Sequence, residues 1–263
     1  MERSNSFDRP QACATWREAF DLGPQEHIAL VGGGGKTTTL WSLGHELGAL
    51  GPTIVTTTTK AGAPPDDVPL VAWERALPDR SLHEIVAAAF ARGPLIAVGS
   101  GVRDGRLRAV TPEIADELFF RCGARYVVNE ADGARMKPFK APAEHEPVLA
   151  STTTLMVVVV GIDALGAPID DEHLHRPERI IALSGANAGQ ALEAAHVAAV
   201  VREYEARCED VDEAARFAVL INKVESGPDD PRVAALAAQL RDVELSTLVA
   251  ASQAGTTRRW RLR

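Results

Sequence analysis

Lysine is scarce in this chain: only five of its 28 Lys and Arg residues are lysine, and each lies in a loop that follows a predicted apolar strand. A lysine ammonium group is a compact point charge suited to phosphate groups. Phosphate chemistry at these loops is the first expectation that residue type and spacing support. The five residues are Lys36, Lys60, Lys137, Lys140 and Lys223.

The first lysine closes a run of four glycines that directly follows the apolar residues 27–31. Glycines let backbone N–H groups turn inward around an anion, the lysine adds charge, and a threonine hydroxyl can bind Mg²⁺. We therefore predict a loop that binds ATP or GTP, with Lys36 exposed in it and Thr37 on the metal. The predicted nucleotide-binding residues are Gly32, Gly33, Gly34, Gly35, Lys36, Thr37 and Thr38.

This loop differs from the G-x-x-x-x-G-K-[ST] pattern, because Leu30 stands where the first glycine belongs. Counted from Gly32, it is G-x-x-G-K-T, two residues shorter. It resembles the shortened phosphate loop of Mur-ligase-type enzymes, which also follows a buried strand. A flexible glycine linker is the alternative, but linkers are not flanked by an apolar strand and a helical pattern.

Two acidic residues, Glu130 and Asp132, end another apolar stretch. Carboxylates at this position typically hold Mg²⁺ or its water in nucleotide-binding proteins. We predict both as metal-binding and catalytic candidates, since a slip of one residue turns a strand side chain to the other face. Lys60, which follows threonines 56–59, is predicted to stabilise charge that develops in phosphoryl transfer.

The loop 134–147 combines three cations, three prolines and a Glu-His-Glu triplet. Prolines restrict a loop at low entropic cost, which suits the presentation of charged groups. Lys137 is predicted to contact transferring charge, and Arg135, Lys140 and His145 a second anion. For His145 a structural role is the alternative. A metal site at His173 and His175 has weaker support, and their roles stay open.

The residues Asn222, Lys223 and Glu225 resemble the N-K-x-D element with which GTPases bind guanine. Glutamate replaces the usual aspartate, which moves the carboxylate by one methylene group and leaves the choice between ATP and GTP open. A turn that simply ends a strand is the alternative. We predict base contact by these three residues with only a modest preference between the two nucleotides.

The elements that must position these residues alternate between strands and helices. Continuous apolar character is typical of strands covered on both faces. Strands are predicted at 27–31, 53–57, 95–99, 126–130, 155–160, 217–222 and 245–250, and helices at 37–50, 81–91, 112–122, 177–183, 188–207 and 231–243. We expect an α/β fold: a doubly wound, mostly parallel sheet with helices on both faces, P-loop NTPase-like. An Asp-Gly pair at 104–105 predicts a small β-hairpin insertion, and ligands should gather at the carboxyl ends of the strands.

Composition narrows the class of protein. A net charge of −8 argues against general nucleic-acid binding. No apolar run reaches the roughly 20 residues of a membrane span, and the first residues lack a signal-peptide pattern. The three cysteines show no metal-binding spacing. We expect a cytoplasmic protein with one domain, 1–263, including an N-terminal helical extension at 1–22 and a basic tail at 255–263.

Five motifs together resemble the accessory proteins of selenium-dependent molybdenum hydroxylases, the YqeC-type family. They are VGGGGKTT at 31–38, VTTTTK at 55–60, NEADG at 129–133, KPFKAPAEHEP at 137–147 and HRPE at 175–178. The resemblance runs from about residue 28 to 222 or beyond. It implies a P-loop-like protein that matures, or supplies selenium to, a molybdenum hydroxylase, with that enzyme or its cofactor-maturation machinery as partner.

The residues and the resemblance together predict an Mg²⁺-dependent NTP hydrolase or phosphotransferase that serves cofactor maturation. Two other classes stay open. One is a metallochaperone-like switch in which nucleotide binding changes partner contacts. The other is a Mur-ligase-like or kinase enzyme that activates a small acid.

Overall fold

Most of the chain is organised around one large sheet. The computed structural model describes residues 9–73 and 81–263. Over these residues the main sheet has ten strands, and eight neighbouring strands in it run parallel. A second sheet has three short antiparallel strands.

The strands, in chain order, are β1 Gln11–Cys13, β2 Glu26–Gly32, β3 Thr53–Thr57, β4 Lys60–Gly62, β5 Leu70–Ala72, β6 Leu95–Gly99, β7 Val102–Arg103, β8 Arg106–Arg108, β9 Tyr126–Glu130, β10 Leu155–Gly161, β11 Arg216–Asn222, β12 Thr247–Ser252 and β13 Arg258–Arg261. The main sheet has the order β1-β13-β12-β11-β10-β2-β9-β3-β6-β5. The strand that precedes the glycine loop, β2, is therefore central, between β9 and β10.

The helices are α1 Trp16–Ala19, α2 Lys36–Gly48, α3 Leu82–Phe90, α4 Pro112–Phe120, α5 Pro177–Ser184, α6 Ala194–Glu209 and α7 Pro231–Gln239. Alternate residues of β2 enter different cores: Ile28 and Leu30 pack with α1 and α2, whereas Ala29 and Val31 pack with α5, α6 and α7. Both faces of the sheet are thus covered. The predicted mixed α/β fold with a mostly parallel sheet is confirmed.

Local signals place several boundaries as predicted. Thr111 caps α4 by accepting a hydrogen bond from the N–H of Ile114, and Pro112 is the first helical residue. Asp104 and Gly105 both have positive φ, 53° and 66°, as the two-residue turn between β7 and β8 requires. The predicted hairpin is confirmed, and β4 adds a third strand to it.

The chain ends differ from expectation. The predicted basic tail at 255–263 contains β13, which pairs antiparallel with both β12 and β1. Arg259 is tied down there, because its guanidinium lies 3.1 Å from the carboxylate of Glu46 and over the ring of Trp16. The predicted helical extension at 1–22 contains strand β1 and only a four-residue helix; its residues 1–8 lie outside the described range.

One helix begins later than predicted, and one strand was not predicted at all. The helix predicted at 188–207 begins only at Ala194, because the preceding segment turns back and Ala191 forms a bridge with Pro168. Strand β5 was missed, since three residues give too short a pattern. Within the described residues, no helix is both long enough and apolar enough to cross a membrane.

Candidate functional site

A cleft of about 1120 Å³ opens at the carboxyl ends of the central strands. Seven of the residues that line it are lysine or arginine and two are glutamate, although the chain as a whole has a net charge of −8. Positive potential concentrated in a cleft attracts anions. The cleft is therefore suited to a ligand that carries several negative charges.

The glycine loop is enclosed by its neighbours so closely that side chains do not fit. A Cβ atom on Gly34 would lie 2.2 Å from the backbone nitrogen of Gly161, and one on Gly32 would lie 2.4 Å from the carbonyl oxygen of Val159. Both glycines also have positive φ, 86° and 88°. Close packing against β10 thus explains why the sequence has glycine here.

The loop leads directly into α2, whose first turn lines the cleft. No side chain caps this helix, and its first backbone bond runs from the N–H of Thr39 to Gly35. The N-terminus of a helix is a favourable anion site because its first N–H groups lack intrahelical acceptors. The amide groups available to an anion are therefore those of the first turn of α2.

Besides the N–H of Gly32, which donates to Asp132, two further glycine amides are not available in this way. The N–H of Gly33 donates to Val159 at 2.9 Å, and the N–H of Gly34 donates to Lys137 at 3.0 Å. We expected the glycine N–H groups to surround the anion; these two instead hold the loop against β10 and the segment after β9. Both residues remain part of the predicted nucleotide site through the shape that they give the loop.

Lys36 is buried, with 4% of its surface exposed, which corrects the expectation of an exposed loop lysine. Its ammonium group lies 2.5 Å from the carbonyl oxygen of Gly32, 3.1 Å from Oδ1 of Asp132 and 3.9 Å from Oε1 of Glu130. The loop closes over the side chain, and the two carboxylates neutralise it. Lys36 is itself the first residue of α2, and it is among the residues that line the cleft.

Register separates the two acidic candidates. Glu130 pairs with Leu30 in β2, so its side chain lies on the face that α2 covers. There its Oε2 accepts a hydrogen bond of 2.9 Å from the hydroxyl of Thr37. Burial raises the pKa of Glu130, while Lys36 and the bond from Thr37 act in the opposite direction.

Asp132 lies beneath the loop and is fully buried. Its Oδ2 accepts hydrogen bonds from the N–H of Gly32 at 3.0 Å and from the hydroxyl of Tyr204 at 2.8 Å, and lies 3.1 Å from the Lys140 ammonium. Burial and Asp132 together raise the pKa of Tyr204. These contacts favour Asp132 as an anchor of the loop and Glu130 as the carboxylate on the cleft side.

Lys140 is also fully buried, which argues against the expectation that it faces an anion. Besides Asp132, its ammonium group contacts Oε2 of Glu146 at 2.5 Å. Arg176 contacts the same carboxylate oxygen at 2.5 Å. Although burial opposes the shift, these cations lower the pKa of Glu146 to about 2. A series of alternating positive and negative side chains therefore extends from the glycine loop to Arg176: Lys36, Asp132, Lys140, Glu146 and Arg176.

The other predicted residues of the loop after β9 lie in the cleft wall. Arg135, Lys137 and His145 all line it. Arg135 and His145 are exposed, and the ammonium group of Lys137 donates to the carbonyl oxygen of Glu172. The loop thus brings these three side chains into the cleft but directs Lys140 away from it.

Lys60 and Arg106 also line the cleft. Lys60 begins β4, and Arg106 begins the neighbouring β8. The charge of the Arg106 guanidinium acts to lower the pKa of Glu130, against the larger effect of burial, which raises it. Sequence reasoning missed Arg106, although its position after an Asp-Gly turn could have indicated it. The hydroxyl of Thr59, also in the lining, has no hydrogen-bond partner among the described residues.

The three residues predicted to contact a base are divided. The Asn222 side chain is buried and donates a hydrogen bond of 2.8 Å to the carbonyl oxygen of Gly34, so it supports the glycine loop. Lys223 lines the cleft and pairs with Asp163 at 2.7 Å. Glu225 is exposed and is not among the lining residues. Base contact stays a prediction, with Lys223 the best placed of the three.

The two histidines at 173 and 175 face different surroundings. His173 hydrogen-bonds with Asp170 at 2.7 Å, and His175 lines the cleft. Burial, followed by the charges of Arg176, Lys140 and Arg135, lowers the pKa of His175 to about 4. Over residues 9–73 and 81–263 no group of three or more His, Cys, Asp or Glu side chains forms a metal cluster.

Comparison with known sequences identifies proteins that are similar to this chain. Residues 28–178 match the family described as YqeC protein. A curated relative, "Uncharacterized protein YqeC" of Escherichia coli strain K12, is 31% identical over 210 residues, which cover 78% of this chain and 79% of the relative. No solved structure matches. The range matched by the family includes the glycine loop, Glu130, Asp132 and the loop after β9. The chain therefore belongs to the YqeC family.

Proposed function

We propose that this protein binds a nucleoside triphosphate together with Mg²⁺ in the cleft. One observation carries the proposal: the uncapped N-terminus of α2, which begins with Lys36, and the Thr37–Glu130 pair both line the cleft. Backbone amides, a lysine and paired oxygen ligands are the groups that hold phosphate and its metal ion.

The phosphate groups would lie against the first turn of α2. Lys36 would turn toward them from its present partners, the carbonyl oxygen of Gly32 and the carboxylate of Asp132. Asp132 would keep the Lys140 ammonium, the Tyr204 hydroxyl and the Gly32 N–H when Lys36 turns away. The anchor beneath the loop can therefore persist while the lysine exchanges a carboxylate for a phosphate.

The donor set near Thr37 fits a magnesium ion. A hydroxyl oxygen and a carboxylate oxygen 2.9 Å apart are hard oxygen ligands, and Mg²⁺ takes few protein ligands while keeping several waters. Thr37 and Glu130 are the residues that would hold it. When bound, the ion would neutralise phosphate charge; Lys60, Arg106 and Lys137 would contribute further positive charge from the cleft walls.

Titration of ATP and GTP into the wild type and into Lys36→Ala, by calorimetry with Mg²⁺ present, tests the proposal. We expect loss of binding in the variant, because the substitution removes the ammonium group that would contact the phosphates. Lys36→Met retains the aliphatic stem and separates loss of charge from loss of packing. Equal affinities in the wild type and both variants would overturn the proposal.

We propose further that the protein hydrolyses or transfers the terminal phosphate and that it lies in the cytoplasm. We also propose that it serves a molybdenum hydroxylase, and this last role rests on the family resemblance alone. A strain that lacks this protein but expresses such a hydroxylase would show whether its activity depends on the wild-type chain and on Lys36. Normal hydroxylase activity without the chain would remove this role and leave nucleotide binding untouched.

One observation favours an enzyme that acts on a second small molecule over a protein that uses the nucleotide only as a switch. Cations line the cleft well beyond the glycine loop, at Arg135, Lys137 and Arg176. A protein that uses the nucleotide only as a switch needs no such charges for a second small ligand. Stimulation of nucleotide turnover by a small anion would favour the enzyme, and stimulation by a protein partner would favour the switch.

A further inference from the structure

Left-handed backbone conformations concentrate around the cleft, three of them in the wall that the loop after β9 and the segment before α5 form. Among the described residues, six that are not glycine have positive φ, and four of these six line the cleft. Three of the four are cations. They are Arg135 at 48°, Met136 at 62°, Arg176 at 61° and Lys223 at 63°. Such conformations are unfavourable for side chains of this size, and they cluster where surrounding structure enforces them at functional sites.

The surrounding structure does enforce this wall. The carbonyl oxygen of Gly133 accepts a hydrogen bond of 2.9 Å from Lys140, and that of Lys137 accepts one of 3.0 Å from Gly34. The N–H of His175 donates to Phe139 at 3.1 Å, which joins the segment before α5 to the loop after β9. Hydrogen bonds within the protein therefore hold the wall in this shape.

The charges of the wall are only partly neutralised. The guanidinium of Arg176 is held by Glu146 through Oε2 at 2.5 Å and Oε1 at 3.3 Å. Arg135, by contrast, makes no hydrogen bond or ion pair with any described residue, and it is exposed at the cleft. Next to it Met136 is 91% exposed. The lowered pKa of His175 leaves its imidazole neutral at pH 7, so that its N–H can donate without adding charge.

We propose that Arg135, Lys137, His175 and Arg176 form a second anion subsite, which takes a small acceptor molecule through a carboxylate or phosphate group. This inference deepens the proposed function and rests on it, since the wall adjoins the glycine loop through the Gly34–Lys137 bond. The cleft volume, about 1120 Å³, exceeds the roughly 300–1000 Å³ typical of a site for one small ligand. An acceptor there would lie beside the bound phosphates.

The test uses the full chain with Mg²⁺ and the non-hydrolysable analogue AMP-PNP at saturation. Inorganic phosphate and succinate are then titrated separately, which distinguishes a phosphate acceptor from a carboxylate acceptor. The main variant is Arg135→Asn, because asparagine tolerates a left-handed backbone while removing the charge. Arg103→Asn is the matched control: Arg103 is an exposed arginine in β7 that does not line the cleft.

We expect at least one of the two anions to bind the AMP-PNP complex. Arg135→Asn should weaken that binding about tenfold, as loss of one charge-assisted hydrogen bond does. The same substitution should change AMP-PNP affinity by less than about twofold, and Arg103→Asn should change neither.

Two results would overturn the subsite. The first is that neither anion binds the AMP-PNP complex at concentrations up to about 20 mM, which corresponds to very weak binding. The second is that Arg135→Asn lowers the affinity for the anion and the affinity for AMP-PNP equally. The second result would make the wall part of the nucleotide site. Failure of the proposed function looks different. There AMP-PNP would not bind the wild type at all, and the subsite would be overturned together with the nucleotide site on which it rests.

Discussion

The hydroxyl of Thr37 donates a hydrogen bond of 2.9 Å to Oε2 of Glu130 and so joins the first turn of α2 to the end of β9. The two residues are 93 positions apart in the chain. Because β9 lies next to β2 in the sheet, the carboxylate of one strand meets the helix that follows the other. This pair sets the geometry on which the magnesium prediction depends.

Thr37→Ala and Glu130→Gln should each weaken nucleotide binding in the presence of Mg²⁺ by about tenfold, because each removes one oxygen ligand from an ion that has few. The measurement is the shift in melting temperature on adding ATP, with Mg²⁺ and with EDTA. In EDTA the variants should resemble the wild type. A shift that EDTA does not change in the wild type would contradict the magnesium site.

Asp132→Asn should reduce the free energy of unfolding by about 3 kcal/mol, because it leaves the Lys36 and Lys140 ammonium groups without their shared buried carboxylate. Glu130→Gln is the matched comparison. Burial already raises the pKa of Glu130, and an amide can still accept from Thr37, so we expect a change within about 1 kcal/mol. Urea denaturation measures both; similar losses would show that Asp132 is not the anchor.

Gly34→Ala should abolish nucleotide binding and reduce stability by roughly 2 kcal/mol, since the new methyl group would lie 2.2 Å from the nitrogen of Gly161 on a backbone with φ of 86°. Gly133→Ala is the control. Gly133 also lines the cleft, but nothing lies within 4 Å of a Cβ atom there. If the two variants bind ATP equally well, the loop is not enclosed as described.

The free energy of unfolding should fall as the pH is lowered from 7.5 to 5. His27 lies fully buried in β2, and burial lowers its pKa from 6.5 to about 4, opposed by Asp116. Between these values the unfolded chain binds a proton that the folded chain does not, so stability falls with pH. The contribution lost by pH 5 is about 2 kcal/mol.

Urea titrations of His27→Gln at pH 7.5 and pH 5 check this expectation. The variant should be less pH-dependent by that amount, whereas the exposed His83→Gln should behave like the wild type. His175, whose pKa is also lowered to about 4, remains in all three proteins and contributes equally to each. An unchanged slope in His27→Gln would contradict the prediction.

The sequence by itself determined most of the central strands, the helices between them and the glycine loop. Strands 53–57, 95–99 and 126–130 are at their predicted positions because continuous apolar runs specify buried parallel strands. The glycine loop, the helix after it and the hairpin at 104–105 follow from local backbone requirements, which a short stretch of sequence contains.

Only the tertiary structure decided how the charged residues divide their roles. Glu130 and Asp132 are two positions apart, yet one faces Thr37 and the other holds Lys140 beneath the loop. That division depends on strand register and on Tyr204 in a helix far along the chain.

Burial of Lys36 and the approach of Arg106 and Arg176 to the cleft depend on the same long-range packing. Local sequence patterns carry no information on this packing. The tertiary structure, and not the spacing along the chain, determines which groups surround a buried charge.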